Sequence, residues 1–564
     1  MFEAVPPGLF LVLGGVLALF LRGSLRSAVL IALPILGAVQ LALLPNGFSM
    51  QWQPFEGYLF EVVRVDALSR VFGYVFYLAA LISVIFSLHV KDTMQQSAGI
   101  AYAGSGVAAL FAGDLVTLFV WWELTAVTSV FLILARRTDR ATRTALRYLV
   151  VQVLSGVLLL AGTLLHYGET GSLAFGALGL GSLGRDLIFV AFGIKAAFPL
   201  LNGWLQDAYP EATATGSVWL SSFTTKLAIY ALARGYAGTE ILIPIGCVMT
   251  VFPVFFAVIE NDLRRVLAYS LNNQLGFMVV GIGIGTELAL NGTAAHAFAH
   301  ILYKSLLFMA MGAVLYRAGT VKASELGGLY KSMPWTATFC IIGAAAISAF
   351  PLFSGFTSKS MILSAAAEGH HDVVFLILLF ASAGVLEHSG IKIPYFAFFA
   401  HDSGKRPKEA PKNMLVAMGI AAALCIGLGV FYGPLYALLP YRVDYTPYTM
   451  AHIVTQLQLL VFAILAFLVL QKLRLYPSER RATILGADWF YRRPLPAIGV
   501  RVGIACAFVY LTLVGMAAAI TRRVGHVLRK LYQPPGPLGE PWPTGPAALV
   551  AAILLVVYLV SVYV

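Results

Sequence analysis

Residues 187–201 read LIFVAFGIKAAFPLL, an apolar run interrupted by one cation, Lys195, with Pro199 four residues after it. A charge at mid-bilayer costs about 2.5–3.5 kcal/mol on insertion scales, so a charged residue retained inside such a run is a functional signal. Pro199 lacks an N–H and clashes with the turn before it, which predicts a helix broken beside the lysine. In a membrane, a broken helix is tolerated where its backbone lines a polar cavity.

The same pattern recurs on both sides of this run. Glu123 lies in DLVTLFVWWELTAVTSVFLIL (114–134), where a carboxylate needs a proton or a cation partner. Lys226 lies in SVWLSSFTTKLAIYALA (217–233) and reads as mid-helix, below a run of hydroxyls. His296, His300 and Lys304 in HAFAHILYKSLLF (296–308) are spaced i, i+4, i+8 along one helix face, with a rise of about 6 Å per step. Neutral imidazoles accept on one nitrogen and donate from the other, which suits them to pass protons. A metal site is disfavoured, because no carboxylate or thiolate stands near and Lys304 shares the stripe. Lys359 follows AISAFPLFSGFTS (346–358), a second lysine beside a proline break, so 333–367 reads as one broken span. Glu387, His388 and Lys392 sit mid-span in 373–400, with Glu387 and Lys392 on adjoining faces. Arg264 and Arg265 end a span and are explained by topology.

The whole chain fits that setting. Of 564 residues, 59% are hydrophobic and only 11% charged, against about a quarter charged in soluble domains. The expectation is an all-α polytopic membrane protein of about 16 transmembrane helices. The net charge of +12 does not indicate nucleic acid. Basic clusters at 135–147, 261–265, 316–322, 401–412 and 471–481 all fall on the cytoplasmic side when the N-terminus is outside. A crossing helix at 494–531 would break that rule, so this stretch is expected to lie laterally, followed by a final anchoring span. The four cysteines read as small buried hydrophobes. No nucleotide, flavin, haem, iron–sulfur or metal site is expected, and no catalytic chemistry in this chain.

The stretches around Glu123 and Lys195–Arg234, with DLRRVLAYSLNNQLGFM, HAFAHILYKSLLFMAMGAVL and ISAFPLFSGFTSKSMIL, resemble the antiporter-like subunits shared by Mrp-type cation/proton antiporters, respiratory complex I and membrane-bound hydrogenases. The resemblance covers about residues 60–435 and is nearest to the D-type proteins of Mrp antiporters. It departs at ATATG (212–216), where the family often has PTP. It implies two inverted five-helix repeats with broken helices, at 97–238 and 239–400. N-terminal helices (1–96), C-terminal helices (401–493) and the lateral and anchoring helices (494–564) would flank them. It further implies a hydrated proton axis through Glu123, Lys195, Lys226, His296, His300, Lys304 and Lys359, with Glu387, His388 and Lys392 as exit or accessory groups. The implied partners are other membrane subunits in a bacterial cytoplasmic membrane, with protons, and Na⁺ or K⁺ as alternatives, as the ions moved. An energy-coupling subunit of an inorganic-carbon uptake or redox complex, and a stand-alone Na⁺/H⁺ antiporter, are the rival readings.

Overall fold

The helix Glu287–Ala318 runs through the middle of the molecule, its apolar window 94% buried, and carries His296, His300 and Lys304. A helix covered on every side is a core element rather than an amphipathic one. Leu263–Ile284, Ser354–Glu368, Pro334–Ile347, Lys412–Val430 and Ala67–Ser87 pack around it. The computed structural model describes residues 5–477, 484, 486 and 488–563, in two units, Met1–Ile484 and Leu485–Val564. Residues 478–481, the end of the last basic cluster, lie outside the described residues.

Among the described residues eleven helices are long and apolar enough to cross a bilayer, and Leu9–Ala18 and Pro334–Ile347 are shorter apolar helices. This is a multi-pass helical membrane protein. Three of the spans read from sequence are divided into shorter pieces, which lowers the tally of long helices. The run 187–201 ends Leu183–Ala196 and enters the break before Gly203–Glu211, and 333–367 is Pro334–Ile347 followed by Ser354–Glu368. The run 217–233 is also broken, at Phe223, between Gly216–Ser222 and Thr224–Gly235. Lys226 therefore stands in the first turn after an interruption, not in mid-helix. Residues 49–64 form an antiparallel hairpin of Ser49–Phe55 on Tyr58–Arg64.

The first and last of these breaks are one device used twice. Ala-Phe-Pro-Leu occurs at 197–200 and at 349–352, and in both copies the alanine and the leucine adopt positive φ: 62° and 68°, then 58° and 75°. Left-handed backbone costs a non-glycine residue about 1–2 kcal/mol, so the surroundings must impose it. The hydrogen bonds also match: Ala197 and Ala349 donate to Ile194 and Ala346, and Phe198 and Phe350 to Gly193 and Ala345. Beyond the second break, Gly355 approaches so closely that a Cβ would lie 1.8 Å from the Ala346 carbonyl oxygen.

Arg234 in the helix Thr224–Gly235 ties back to Asp66, the N-cap of Ala67–Ser87, its Nη2 donating to the two carboxylate oxygens at 2.8 and 2.7 Å. Burial pushes the Asp66 carboxyl up, but Arg234 and the Ser69 hydrogen bonds outweigh it and hold it below the ordinary 3.8.

The second unit contains Asp488–Arg492, Pro494–Tyr532 and Thr544–Tyr563. With 39 residues, Pro494–Tyr532 is about 58 Å long, nearly twice the roughly 30 Å hydrocarbon core. Cys506 is exposed on this helix, unlike the buried Cys247, Cys340 and Cys425, because the helix buries no side chain.

Two outcomes follow for stability. Gly355→Ala should lower the thermal midpoint of the purified protein, since overpacking costs about 1–3 kcal/mol. Gly427→Ala, with open space around it, should leave it unchanged or higher, as measured by scanning fluorimetry. The Asp66 contribution is present above its unfolded-state value and is lost as pH falls through the depressed folded value. Asp66→Asn should therefore flatten the loss of stability on acidification, seen as a smaller midpoint shift between neutral and acid pH.

Candidate functional site

Lys195 ends the helix Leu183–Ala196 and is fully buried. Its ammonium donates to the Trp122 carbonyl at 2.6 Å and to Thr125 Oγ1 at 3.0 Å, and sits 4.4 Å above the Trp122 ring. Trp122 is itself fixed: its Nε1 donates to Ser155 Oγ, whose hydroxyl donates to the Ala191 carbonyl. Glu123, one residue on, is half-buried. Its Oε1 has no hydrogen-bond partner among the described residues and lies against Gly156, where a Cβ would come within 1.6 Å of it. Lys195 is the cation nearest Glu123 in effect, yet the two make no ion pair within 4.0 Å among the described residues. The pair is open.

From Thr125 a line of hydroxyls leads towards Lys226. Ser129, one turn below Thr125, bonds the Tyr148 hydroxyl at 2.8 Å. Tyr148 also reaches Thr224, and Thr224 Oγ1 meets the Tyr102 hydroxyl at 2.6 Å. Tyr102 additionally accepts the Thr224 N–H that the Phe223 break releases. Two residues on, the buried Lys226 donates to the Ser221 carbonyl at 2.5 Å, across the same break.

On the central helix, His296 bonds Ser358 Oγ through Nδ1 at 3.0 Å and Gln274 Oε1 through Nε2 at 3.2 Å. Tyr303 donates to the same Gln274 oxygen. Because Gln274 Oε1 can only accept, His296 carries its proton on Nε2 when that bond is made. Neither ring nitrogen of His300 has a protein partner among the described residues, although Lys226, Lys304 and His296 all face the ring. Lys304 donates to Ser270 Oγ at 2.9 Å and to the Leu267 carbonyl at 3.4 Å. Lys359 donates to the Ile347 carbonyl at 2.9 Å, just before the second break, and lies 5.1 Å from the Phe277 ring.

The third group behaves differently. Leu386–Ile391 and Tyr395–Phe399 are wide turns with i→i+5 bonding, an irregularity that often marks a functional site. Lys392 donates to the carbonyls of Ala257, Val258 and Glu260 and so closes the C-terminal end of Leu242–Ile259. Cations are favoured at that end of a helix, which gives Lys392 a structural duty. His388 donates through Nδ1 to Gly384, and its buried Nε2 has no protein partner among the described residues. Tyr476 and Lys392 face Glu387.

Arg264, read from sequence as a topology marker, is fully buried and bonds the carbonyls of Tyr209, Ala212 and Thr213. It closes the helix Gly203–Glu211 after the first break. Its place near a span end gave no hint of this, because the accepting carbonyls are contributed by a distant helix. Tyr102, Tyr148, Gln274 and Gly156 were likewise missed, being ordinary residues of apolar helices until the packing is known.

Three kinds of comparison bear on what this arrangement belongs to. A family model described as NADH:quinone oxidoreductase/Mrp antiporter, TM, matches residues 112–385. The D-type subunit of the Na(+)/H(+) antiporter of Alkalihalophilus pseudofirmus is 31% identical over 351 residues, covering 58% of this chain and 71% of that one. The chain belongs to the NADH:quinone oxidoreductase/Mrp antiporter family. Among other members, hydrogenase-4 component B of Escherichia coli is 28% identical over 429 residues, or 66% of this chain and 62% of that one. The chain thus spans under two thirds of that relative's length. The fold of this family is seen directly in a chain of the Mrp complex from Dietzia sp., with a TM-score of 0.70 at 22% identity over 80% of this chain and 99% of that one.

Gly156→Ala should push the Glu123 carboxyl out of its notch. The expected result is a folded protein in which the Glu123 carboxyl is displaced, seen as a changed Glu123 carboxyl band in infrared difference spectra, measured beside Gly168→Ala, where nothing lies within 4 Å.

Proposed function

We propose that this chain is a proton-translocating, antiporter-like subunit of a multi-subunit complex in a bacterial cytoplasmic membrane. The observation that carries the reading is the way four buried lysines are held. Lys195, Lys226, Lys304 and Lys359 are bonded to main-chain carbonyls and hydroxyls, and among the described residues none makes an ion pair within 4.0 Å. An ammonium in a low-dielectric interior without a fixed counter-charge is poised to change its protonation when a charge nearby moves.

The proposed route begins at Glu123 and Lys195, continues past Thr125, Ser129, Tyr148 and Thr224 to Lys226, and reaches His300, His296, Lys304 and Lys359. Buried polar atoms without partners cost about 1–3 kcal/mol each, so the bare nitrogens of His300 are a natural place for water along the file. Protons move by coupled switching: closing the Glu123–Lys195 pair holds charge at Lys195 and lowers the repulsion felt further along. Glu387 and His388 are accessory groups in this scheme, with Lys392 fixing the helix end beside them.

The matching breaks at 197–200 and 349–352 support two inverted five-helix repeats, at 97–238 and 239–400, within about 16 spans. The length of Pro494–Tyr532 supports a helix lying along the membrane. The other subunits of the complex are the partners.

Glu123→Ala and Lys195→Ala should each abolish proton uptake by the reconstituted complex while leaving its subunit composition intact on size exclusion. A well-assembled Glu123→Ala complex that transports like wild type overturns the reading.

A further inference from the structure

Lys359 opens onto a cavity of about 200 Å³ between Ser354–Glu368, Asp372–Val385 and Met450–Lys472. Two polar stripes face each other across it: Lys359, Ser360 and Ser364 on one helix, and His452, Thr455 and Gln456 on the other. Burial falls along the cavity. Lys359 and Gln456 are buried, Ser360, Ser364 and His452 half-buried, and Ala367, Ala451 and Thr455 exposed. The wall is a graded path from the buried lysine to the start of Met450–Lys472, where the chain arrives from the loop 431–449. With water occupying about 30 Å³ per molecule, the space holds several.

His452 is built into this path. Its Nδ1 lies 3.1 Å from the Pro447 carbonyl and 3.4 Å from the Tyr445 hydroxyl, and its Nε2 is 3.4 Å from Ser364 Oγ. A carbonyl only accepts, so the Pro447 bond puts the proton on Nδ1 and leaves Nε2 as an acceptor turned to Ser364 and the cavity. Tyr445 stacks on the imidazole with ring centroids 5.7 Å apart and also bonds Ser364. At the other end, Gln456 donates to the Ser348 carbonyl, inside the second break. The side chains lining the cavity include no carboxylate, while Lys359 and His452 can both carry positive charge. Glu368 is the charged group near Tyr445. Such a lining repels a metal cation and suits a proton passed along water.

We propose that this cavity is the half-channel joining Lys359 to the membrane face that carries the loop 431–449, and that His452 relays protons through it. A proton released by the Lys359 ammonium crosses the cavity water to His452 Nε2, and the imidazolium so formed gives up its Nδ1 proton at the loop side. The reverse sequence brings a proton in. Neither direction needs a redox partner. The inference rests on the proton-axis reading, but it concerns residues outside that axis.

The test uses the intact complex in proteoliposomes, with Glu123→Ala measured in parallel. His452→Ala should slow proton transport about a hundredfold or more, the lower end of the usual range for a positioned proton-transfer group. Imidazole added from the face of the 431–449 loop should restore it, which a packing defect would not allow. Ala367→Cys, at the exposed end of the cavity wall, should transport normally until a membrane-impermeant thiol reagent is applied to that same face, and then stop. Wild type, whose Cys506 is already exposed, is the control for the reagent. If His452→Ala and reagent-treated Ala367→Cys run at the wild-type rate while Glu123→Ala is inactive, the cavity assignment falls and the axis stands. A loss in His452→Ala that imidazole does not restore, with Ala367→Cys insensitive to the reagent, also overturns it. Wild-type transport by Glu123→Ala would count against the axis alone.

Discussion

The arrangement depends on how an ammonium group is satisfied inside an apolar helix bundle with no fixed carboxylate beside it. Here main-chain carbonyls supply the answer. Lys226 and Lys359 take carbonyls next to a helix break, Ser221 and Ile347, and Lys392 takes three at a helix end. Lys195 and Lys304 take a carbonyl from a continuous helix and a hydroxyl beside it. A carbonyl is a dipole rather than a charge, so it lowers the desolvation cost without locking the lysine into one ionisation state. That is the difference between a lysine that holds a structure and one that can answer to its neighbours.

The same physics separates the two kinds of cation in the molecule. Arg234 meets both carboxylate oxygens of Asp66 near the end of a helix, and Arg136 and Arg140 meet Glu211. These are guanidinium–carboxylate contacts, whose planar geometry favours permanence. Lysines, with a compact head and a titratable charge, occupy the interior positions. Arg264 is the exception, an interior arginine used to close a helix with three carbonyls.

Much of this was legible in the sequence because the signals are expensive ones. A lysine or glutamate within an apolar run stands out, and a proline beside it forecasts a break; the helices do end at Ala196 and Ile347, just before Pro199 and Pro351. The break at Phe223 carries no proline and was not foreseen; its freed N–H is taken by Tyr102, over a hundred residues away. Gly156 is one glycine among 53, and only its proximity to Glu123 distinguishes it. The wide turns around Glu387 replace the regular helix on which adjoining faces were reckoned, since bonding to the fifth residue changes the angular register. The hairpin at 49–64 has weak alternation and mostly exposed residues, so no periodic pattern announces it.

The repeated Ala-Phe-Pro-Leu interruption has a consequence for how the chain can evolve. Each residue of an α-helix turns the chain by about 100°, and the half-helix Ser354–Glu368 starts directly after the interruption. One residue inserted or deleted between Ala349 and Gly355 would swing Lys359 about a quarter of a turn or more away from Ile347, and the same holds for the Gly203–Glu211 segment after Ala197. Indels should therefore be purged from these two short tracts while side chains around them drift.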